Sequence, residues 1–252
     1  MTIRGDGTTS EADRIRLEYE RRAREIPPDY YSMANGPVLF AYQQRVRAVI
    51  KNLHNFRMFP LSDRKILEVG CGTGGWLADF EAWGADRRNL AGIELNPSRS
   101  RLAQARFAPQ RDERGHILTE GADVRLGDAS NLPWPDASFD IVLQGTVFTS
   151  ILEDGMKRVV AGEMMRVLKP GGIVVWYDFF YDNPSNSNVR GIRSREIHSL
   201  FSGYDIQLKR ITLAPPIAKQ IVPITWIGAL LLEKISIFNT HYLGIIFKQA
   251  IS

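Results

Sequence analysis

Apolar residues along this chain follow two spacings, and the two alternate. Short runs rich in Ile, Leu, Val and Phe are typical of buried strands, whereas the segments between them place apolar residues three or four positions apart, as amphipathic helices do. Strands that alternate with helices of this length indicate an α/β fold, a doubly wound and mostly parallel sheet with helices on both faces. The predicted strands are seven: 66–69, 89–95, 124–126, 139–144, 173–177, 204–213 and 241–247. The charged stretch 110–121, between the second and third strands, is predicted to be an exposed loop.

Two helical segments precede the first strand. Apolar residues in 11–26 form one stripe, which Pro27 and Pro28 end, and a second stripe predicts a helix at 38–53. The chain is divided accordingly: 1–58 are N-terminal helices that cap the site, 59–252 are an α/β domain, and about 214–239 are an apolar insertion within it.

A glycine-rich turn follows the first strand. Gly70, Gly72, Gly74 and Gly75 separate that strand from a predicted helix. Glycine suits a sharp turn that must approach a ligand closely, and the N-terminus of the next helix offers unpaired N–H groups. The pattern also satisfies the G-x-G-x-x-G fingerprint of NAD-binding proteins, so a dinucleotide remains an alternative at this point.

Polar residues end the next three strands. Glu94 ends the second, Asp128 follows the third and Gln144 ends the fourth. Ligands of parallel sheets bind beyond the carboxyl ends of the strands, where Glu94 could accept ribose hydroxyls and Asp128 the exocyclic amine of adenine. Alone, Glu94 would be a solvated charge and Asp128 a turn residue. Together they indicate a nucleoside site.

Composition narrows the classes of function. The chain has 252 residues, a net charge of +4 and a pI near 9.2. Its Lys and Arg residues are scattered rather than clustered, which argues against a nucleic-acid partner. The single cysteine, Cys71, excludes an internal disulfide, and the four histidines show no metal-ligand spacing, so no metal is expected. The first residues lack the apolar core of a signal peptide, which predicts a cytoplasmic protein.

Taken together, these stretches resemble the class I S-adenosylmethionine (SAM)-dependent methyltransferases of the broad small-molecule type. The matching stretches are ILEVGCGTG at 66–74, GIEL at 92–95, GDA at 127–129, FDIV at 139–142 and RVLKPGG at 166–172. The resemblance implies a Rossmann-like, seven-stranded sheet whose seventh strand is antiparallel. NAD binding becomes the minor alternative because it accounts for neither GDA nor LKPGG.

The resemblance also implies roles for individual residues. Glu68 and the loop of Gly70, Cys71, Gly72 and Gly74 would hold the methionine end of SAM. At the nucleoside end of SAM, Glu94 would bind the ribose and Leu95 would pack on the adenine. Asp128 with Ala129 would bind the amino group of the adenine. Gln144 is the remaining residue expected in the cofactor site. A packing role is expected for the Cys71 thiol, since no base lies near it in sequence.

In this fold the acceptor site is built from the N-terminal helices and the loops after strands four and five. The candidates there are Tyr30, Tyr31, Thr146, Phe148, Asp178, Tyr181, Asp182 and Asn183. We expect in-line O-methylation of a small molecule or a lipid-linked glycan. N- or C-methylation of a metabolite is the alternative, and an inactive SAM-binding scaffold is the alternative of another class. The Asn-Pro-Pro-aromatic motif typical of adenine, cytosine or glutamine N-methyltransferases is absent after strand four, where Gln144, Gly145 and Thr146 stand instead.

An alcohol acceptor requires a base. Asp178, at the end of strand five, is the candidate, with His198 or His241 as substitutes. The other interpretation of Asp178 is a strand-end residue that binds local backbone amides.

The apolar insertion has two interpretations. Its apolar part, about 221–232, is shorter than the ~20 residues of a membrane-spanning helix. We expect a helical lid on the sheet edge and acceptor pocket. The alternative is peripheral contact with the inner face of the membrane through about 215–235, with Trp226 in the lipid boundary and Arg210, Lys219 and Lys234 near headgroups. The sequence leaves the oligomeric state open.

Overall fold

The computed structural model describes residues 10–27, 29–183 and 186–249; the leader 1–9 and Pro28 of the first predicted helix stop lie outside them. Its centre is a seven-stranded sheet in the order β3-β2-β1-β4-β5-β7-β6. The strands are β1 (Ile66–Val69), β2 (Leu90–Glu94), β3 (Asp123–Leu126), β4 (Phe139–Gly145), β5 (Leu168–Phe179), β6 (Asp205–Leu213) and β7 (Asn239–Phe247). All seven predicted strands are present.

The strand directions confirm the predicted fold class. Five adjacent strands run parallel to one another: β3, β2, β1, β4 and β5. β7 is antiparallel to the strands on both sides of it, β5 and β6. β1 lies where the chain reverses its order along the sheet, and its four residues are buried. The carboxyl ends of β1, β2 and β4 therefore meet at the switch point, where ligands of such sheets bind.

Eight helices accompany the sheet in the described residues: α1 (Glu11–Glu25), α2 (Gly36–Asn55), α3 (Gly75–Ala82), α4 (Pro97–Arg106), α5 (Asp154–Val167), α6 (Ser194–Leu200), α7 (Pro215–Ile221) and α8 (Trp226–Glu233). Alternate residues of each central strand enter cores on opposite faces of the sheet. Leu67 and Val69 pack with α5 residues on one face, and Ile66 packs with α2 and α3 residues on the other. This alternation is how one strand holds two helical layers.

Residues 110–121, predicted as an exposed loop, contain a small antiparallel hairpin instead. Gln110–Arg111 pairs with Ile117–Thr119. The Asp112 side chain accepts hydrogen bonds from the backbone N–H groups of Arg114 and His116, which closes the turn. Such local side-chain bonding leaves no trace in apolar periodicity, which explains why the prediction was wrong here.

The insertion forms two short helices with an inner and an outer face. Ala218 of α7, Val222 directly after it and Ala229 of α8 are buried against Phe40 of α2 and Leu213 of β6. Trp226, which the membrane interpretation placed in lipid, packs edge-on against Phe40 with ring centroids 5.3 Å apart. Within the described residues, no helix combines the length and apolar character needed to cross a bilayer.

Candidate active site

The loop between β1 and α3 requires glycine for two separate reasons. Gly70, Gly72 and Gly74 have φ values of 68°, 56° and 78°, a region that side-chain-bearing residues rarely occupy. Space is also lacking, since a Cβ on Gly70 would lie 2.5 Å from Val147 Cγ2 and one on Gly74 would lie 2.5 Å from the Phe107 ring. The loop backbone is thereby fixed against β4 and α4.

Glu94 ties this loop to the end of β2. One carboxylate oxygen accepts the N–H of Gly72 at 2.7 Å, and the other accepts the N–H of Asn96 at 2.8 Å. The side chain is only 5% exposed and lines the cavity beside the loop. It is therefore a positioned acceptor at the carboxyl edge of the sheet.

A cavity of about 90 Å³ opens at this edge. Asp128 and Ala129 line it after β3, and Ile93 and Leu95 line it from β2. Asp128 already accepts the N–H of Ser130 at 2.8 Å, which orients its carboxylate. Apolar groups beside two carboxylates match the chemistry of a nucleoside, a flat base with hydroxyl and amine donors.

Helix α1 closes the other side of the cavity, which the sequence did not predict in residue detail. Ile15 and Tyr19 line the cavity, and the Tyr19 hydroxyl lies 3.2 Å from Ser150 Oγ. Glu11 anchors the start of α1 by accepting the N–H of Leu152, in the loop after β4. The stripe of apolar residues in 11–26 predicts the helix. That the buried face of this helix lies over the cavity depends on the tertiary fold, which the stripe does not indicate.

Arg99 is a further cavity residue that sequence reasoning missed. Its guanidinium lies 4.7 Å from the Tyr19 ring centroid, and a Cβ on Gly72 would lie 2.3 Å from Arg99 Nη2. The cation therefore lies directly over the glycine loop. The sequence does indicate that Arg99 lies in the first turn of α4, since Pro97 marks where that helix begins. A residue at this place lies near the carboxyl edge of the sheet, where the cavity opens.

Three residues expected in the cofactor site lie beneath the cavity rather than along it. Glu68 is buried and accepts the N–H of Leu77 at 3.2 Å, and burial raises the pKa of its carboxyl well above the usual range. Gln144 is buried and accepts the N–H of Val147 at 3.0 Å. Cys71 is 3% exposed, and burial raises the pKa of its thiol. These side chains support the loops that form the cavity.

The three candidate bases lie outside the cavity wall. Asp178 is buried and accepts the Thr149 hydroxyl at 2.7 Å and the backbone N–H groups of Thr149 and Phe179. Burial raises the pKa of its carboxyl to about 7, although these hydrogen bonds favour the charged form. Of its two interpretations, these contacts favour the local structural one.

The histidines are no better placed. His241 is buried against the rings of Tyr177 and Phe179, with centroids 4.6 Å and 3.8 Å away, and burial lowers its pKa to about 3. It is therefore neutral. His198 is exposed on α6, with Nδ1 2.8 Å from the carbonyl oxygen of Ser194.

The residues predicted for the acceptor site do not lie together in the structure. Thr146 lines the cavity, while Phe148 is buried with its ring centroid 4.6 Å from that of Trp176. The Asp182 carboxylate accepts the N–H of Gly191 at 2.9 Å. Four others are exposed: Tyr30, Tyr31, Tyr181 and Asn183. Only Thr146 among these candidates therefore meets the cavity.

An aromatic and cationic cluster lies on the other side of the glycine loop. The Arg45 guanidinium of α2 lies 4.3 Å from the Trp76 ring and 5.5 Å from the Tyr177 ring. Trp76 reaches the end of β4, because a Cβ on Gly145 would lie 2.7 Å from its Nε1. The Tyr177 hydroxyl is hydrogen-bonded to Thr212 Oγ1 at 2.9 Å.

Comparison with known proteins agrees with this geometry. Residues 67–176 match the family model described as "Methyltransferase domain". A phthiotriol/phenolphthiotriol dimycocerosates methyltransferase 1 of Mycobacterium ulcerans is 35% identical over 150 residues, which are 55% of this chain and 49% of that one. A 24-methylenesterol C-methyltransferase 2 of Oryza sativa is 31% identical over 173 residues, 60% of this chain and 44% of that one. The chain spans about half the length of these relatives or less.

Among solved structures, magnesium protoporphyrin IX methyltransferase from Synechocystis with bound SAM superposes with a TM-score of 0.60. The match covers 95% of this chain and 98% of that one at 12% identity, so it speaks to the fold alone. The family match identifies residues 67–176 as a methyltransferase domain, and the superposition shows that its fold is the one found with SAM bound in that solved structure. The cofactor of such domains is SAM.

The residues of the cavity fit SAM. Carboxylates at Glu94 and Asp128 can accept from ribose hydroxyls and an adenine amine, and the Arg99 guanidinium can pair with a carboxylate. That guanidinium covers Gly72 of the glycine loop, which brings a cation to the loop beside the cavity.

Proposed function

We propose that this protein transfers the methyl group of SAM to a hydroxyl oxygen of a small, lipid-soluble or lipid-linked acceptor. The observation that carries the cofactor part is the convergence of the glycine loop, Glu94 and Asp128 at one edge of the sheet. The methyl group of SAM is already activated by the sulfonium charge. The chain's own residues therefore need to position the two reactants, and orientation can supply up to ~7–11 kcal/mol of the barrier.

Two features support an apolar acceptor. The side of the cavity away from the carboxylates is lined by aliphatic residues, Val147 and Ile151 after β4 and Met156 and Val160 of α5. The relatives described above are named for lipid and sterol methylation. No glycan is named in either description, so a glycan enters this proposal only as the headgroup of a lipid-linked acceptor.

C-methylation is the second candidate, and one observation favours it. The candidate bases Asp178, His198 and His241 do not line the cavity. An alcohol must lose its proton as its oxygen attacks, whereas a carbon–carbon double bond attacks the methyl carbon first, releases S-adenosylhomocysteine, and leaves a carbocation that loses a neighbouring proton to water in a later step. The rice relative is named a C-methyltransferase. The hydroxyls of Tyr19 and Ser150 at the cavity would then position the acceptor rather than deprotonate it.

Calorimetry tests the cofactor part. SAM and S-adenosylhomocysteine should bind and NAD should not. Asp128→Ala should weaken SAM binding by about 1–3 kcal/mol, because it removes an acceptor from a largely desolvated ligand. Asp112→Ala, in the exposed hairpin, is the matched control and should bind SAM as the parent does. Binding of NAD without SAM would overturn the assignment.

Mass spectrometry tests the acceptor part. Incubation with methyl-labelled SAM and a total lipid extract should give a lipid product heavier by one CH₂ unit. Fragmentation then separates an ether from a new carbon–carbon bond, and so decides between O- and C-methylation. SAM binding without a methylated product from lipid or aqueous extracts would instead support the inactive scaffold.

A further inference from the structure

Exposed apolar side chains concentrate on one part of this molecule. Sixteen large apolar residues are exposed in the described part of the chain, and eight of them fall in 30–33 and 224–237. We call these eight the apolar face: Tyr30, Tyr31, Met33, Ile224, Ile227, Leu231, Ile235 and Ile237. Contiguous exposed apolar surface on a folded protein commonly marks an interaction site.

The two segments of the apolar face are adjacent in space. Lys219 of α7 lies between them, with Nζ 3.4 Å from the Tyr30 hydroxyl and 5.2 Å from the Tyr30 ring centroid. Val222 Cγ1 lies 3.6 Å from the position of a Cβ on Gly36, at the end of the same linker. The linker between α1 and α2 therefore packs beside α7, and the apolar face is one surface.

The exposure is a property of the helices and does not come from loose packing. The inner residues of α7 and α8 form a closed core with Phe40, and Trp226 turns inward to join it. On the outer side Ile224 is 80% exposed, Ile227 71% and Leu231 57%. Ile227 and Leu231 are one helical turn apart on α8 and form an outward stripe, and Ile224 lies in the turn between α7 and α8.

Charges around the apolar face are mainly positive. Lys219 and Lys234 are exposed at its edges, and Asp29 is the acidic residue of the linker. Glu233 is turned away from the surface, because one carboxylate oxygen accepts the N–H of Thr212 at 3.0 Å. Aliphatic side chains bordered by lysines complement a surface that is apolar within and anionic at its boundary.

We propose that the apolar face docks on a lipid bilayer that contains anionic phospholipid. The aliphatic side chains of α8 and residues 235–237 insert at the boundary of headgroups and acyl chains, and Lys219 and Lys234 contact the headgroups. α7 and α8 lie along the surface of the bilayer, since neither helix is long enough to span the bilayer. The surface is separate from the cofactor cavity, so docking holds whether or not the proposed reaction does.

Co-sedimentation of the full chain with vesicles tests the proposal. The parent protein should sediment with vesicles of phosphatidylcholine and phosphatidylglycerol, and more weakly with phosphatidylcholine alone. Ile227→Ser with Leu231→Ser should lower the partition coefficient by about tenfold or more, because both side chains leave the lipid boundary. Lys219→Gln with Lys234→Gln should lower binding by about tenfold to anionic vesicles only.

The matched control is Leu102→Ser with Leu118→Ser, two exposed leucines on α4 and the hairpin. It should sediment as the parent does, and SAM calorimetry on every variant shows that each is folded. Parent protein that stays in the supernatant, or serine variants at 227 and 231 that still sediment fully, would overturn the proposal. A concentration-dependent dimer abolished by the same variants would overturn it in favour of a second copy of this chain.

Discussion

The two halves of the sheet are built on different principles. At the ends of β1 and β2 the backbone itself makes the site, through glycines with positive φ and N–H groups that meet the Glu94 carboxylate. Near the ends of β5 and β7 side chains fill the space, as the stacked rings of Tyr177 and His241 do. Backbone geometry tolerates few residue types, whereas aromatic packing has many solutions. The glycine loop at the ends of β1 and β2 therefore carries a motif, and the aromatic packing around Tyr177 and His241 does not.

The largest expected effect is on stability, and it is tested by comparing one glycine from each half of the sheet. Gly74→Ala should destabilise the protein by about 3 kcal/mol or more, because the new Cβ meets the Phe107 ring in a backbone conformation that already disfavours it. Gly203, before β6, has φ 88° and open space around it, so Gly203→Ala should cost only about 1–2 kcal/mol. Urea denaturation measures both. Equal losses would show that the crowding around the cofactor loop is unimportant.

Asp178, on β5, gives the next effect. Burial raises its pKa from 3.8 to about 7, so the folded protein holds a proton that the unfolded chain releases. The free energy of unfolding should therefore fall as pH rises from about 4 to about 7, by ~2–4 kcal/mol from this group. Asp178→Asn should flatten that part of the profile in thermal melts. Parallel profiles for parent and variant would show that Asp178 titrates normally.

Substitutions of two arginines, Arg99 beside the glycine loop and Arg45 in the aromatic cluster, should have the smallest effects. They test directly whether the two halves of the sheet differ in their contribution to SAM binding. Arg99→Gln should weaken SAM binding by about 1.5–3 kcal/mol while adenosine binds as before, because only SAM has a carboxylate for the guanidinium. Arg45 does not line the cavity, so Arg45→Gln, in the aromatic cluster, should leave SAM affinity unchanged. Calorimetry measures both affinities. If Arg45→Gln weakens SAM binding equally, the aromatic cluster also contributes to cofactor binding.

Strand positions and the glycine loop could be predicted because each rests on local chemistry. Ile66–Val69 is a buried run, and the conformations of Gly70 and Gly72 suit no other residue. The placement of Tyr19 over the cavity could not be predicted in this way, since it depends on how α1 crosses residues far along the chain. Asp178 shows the same limit, because its sequence position fits a base and a local acceptor equally well.

The insertion illustrates a further limit. Apolar periodicity marked 214–239 as unusual but offered a lid or a membrane contact as alternatives. In the structure the inner face of α7 and α8 packs on the sheet edge while Ile227 and Leu231 point outward, so one face does not exclude the other. Only the last residue of α8, Glu233, is polar, so the sequence of this helix has no polar side from which the buried face could be predicted.

The buried position of Cys71 makes it a natural kinetic reporter. It is the only cysteine in the sequence and lies between Gly70 and Gly72, with its sulfur packed next to Gly92. A disulfide reagent can modify it only while the loop opens, so the rate of labelling measures the free energy of local opening. Ligands that order the loop slow that reaction in proportion to their occupancy. The affinity of any cofactor can therefore be measured on the unmodified chain, without an attached dye or a known acceptor.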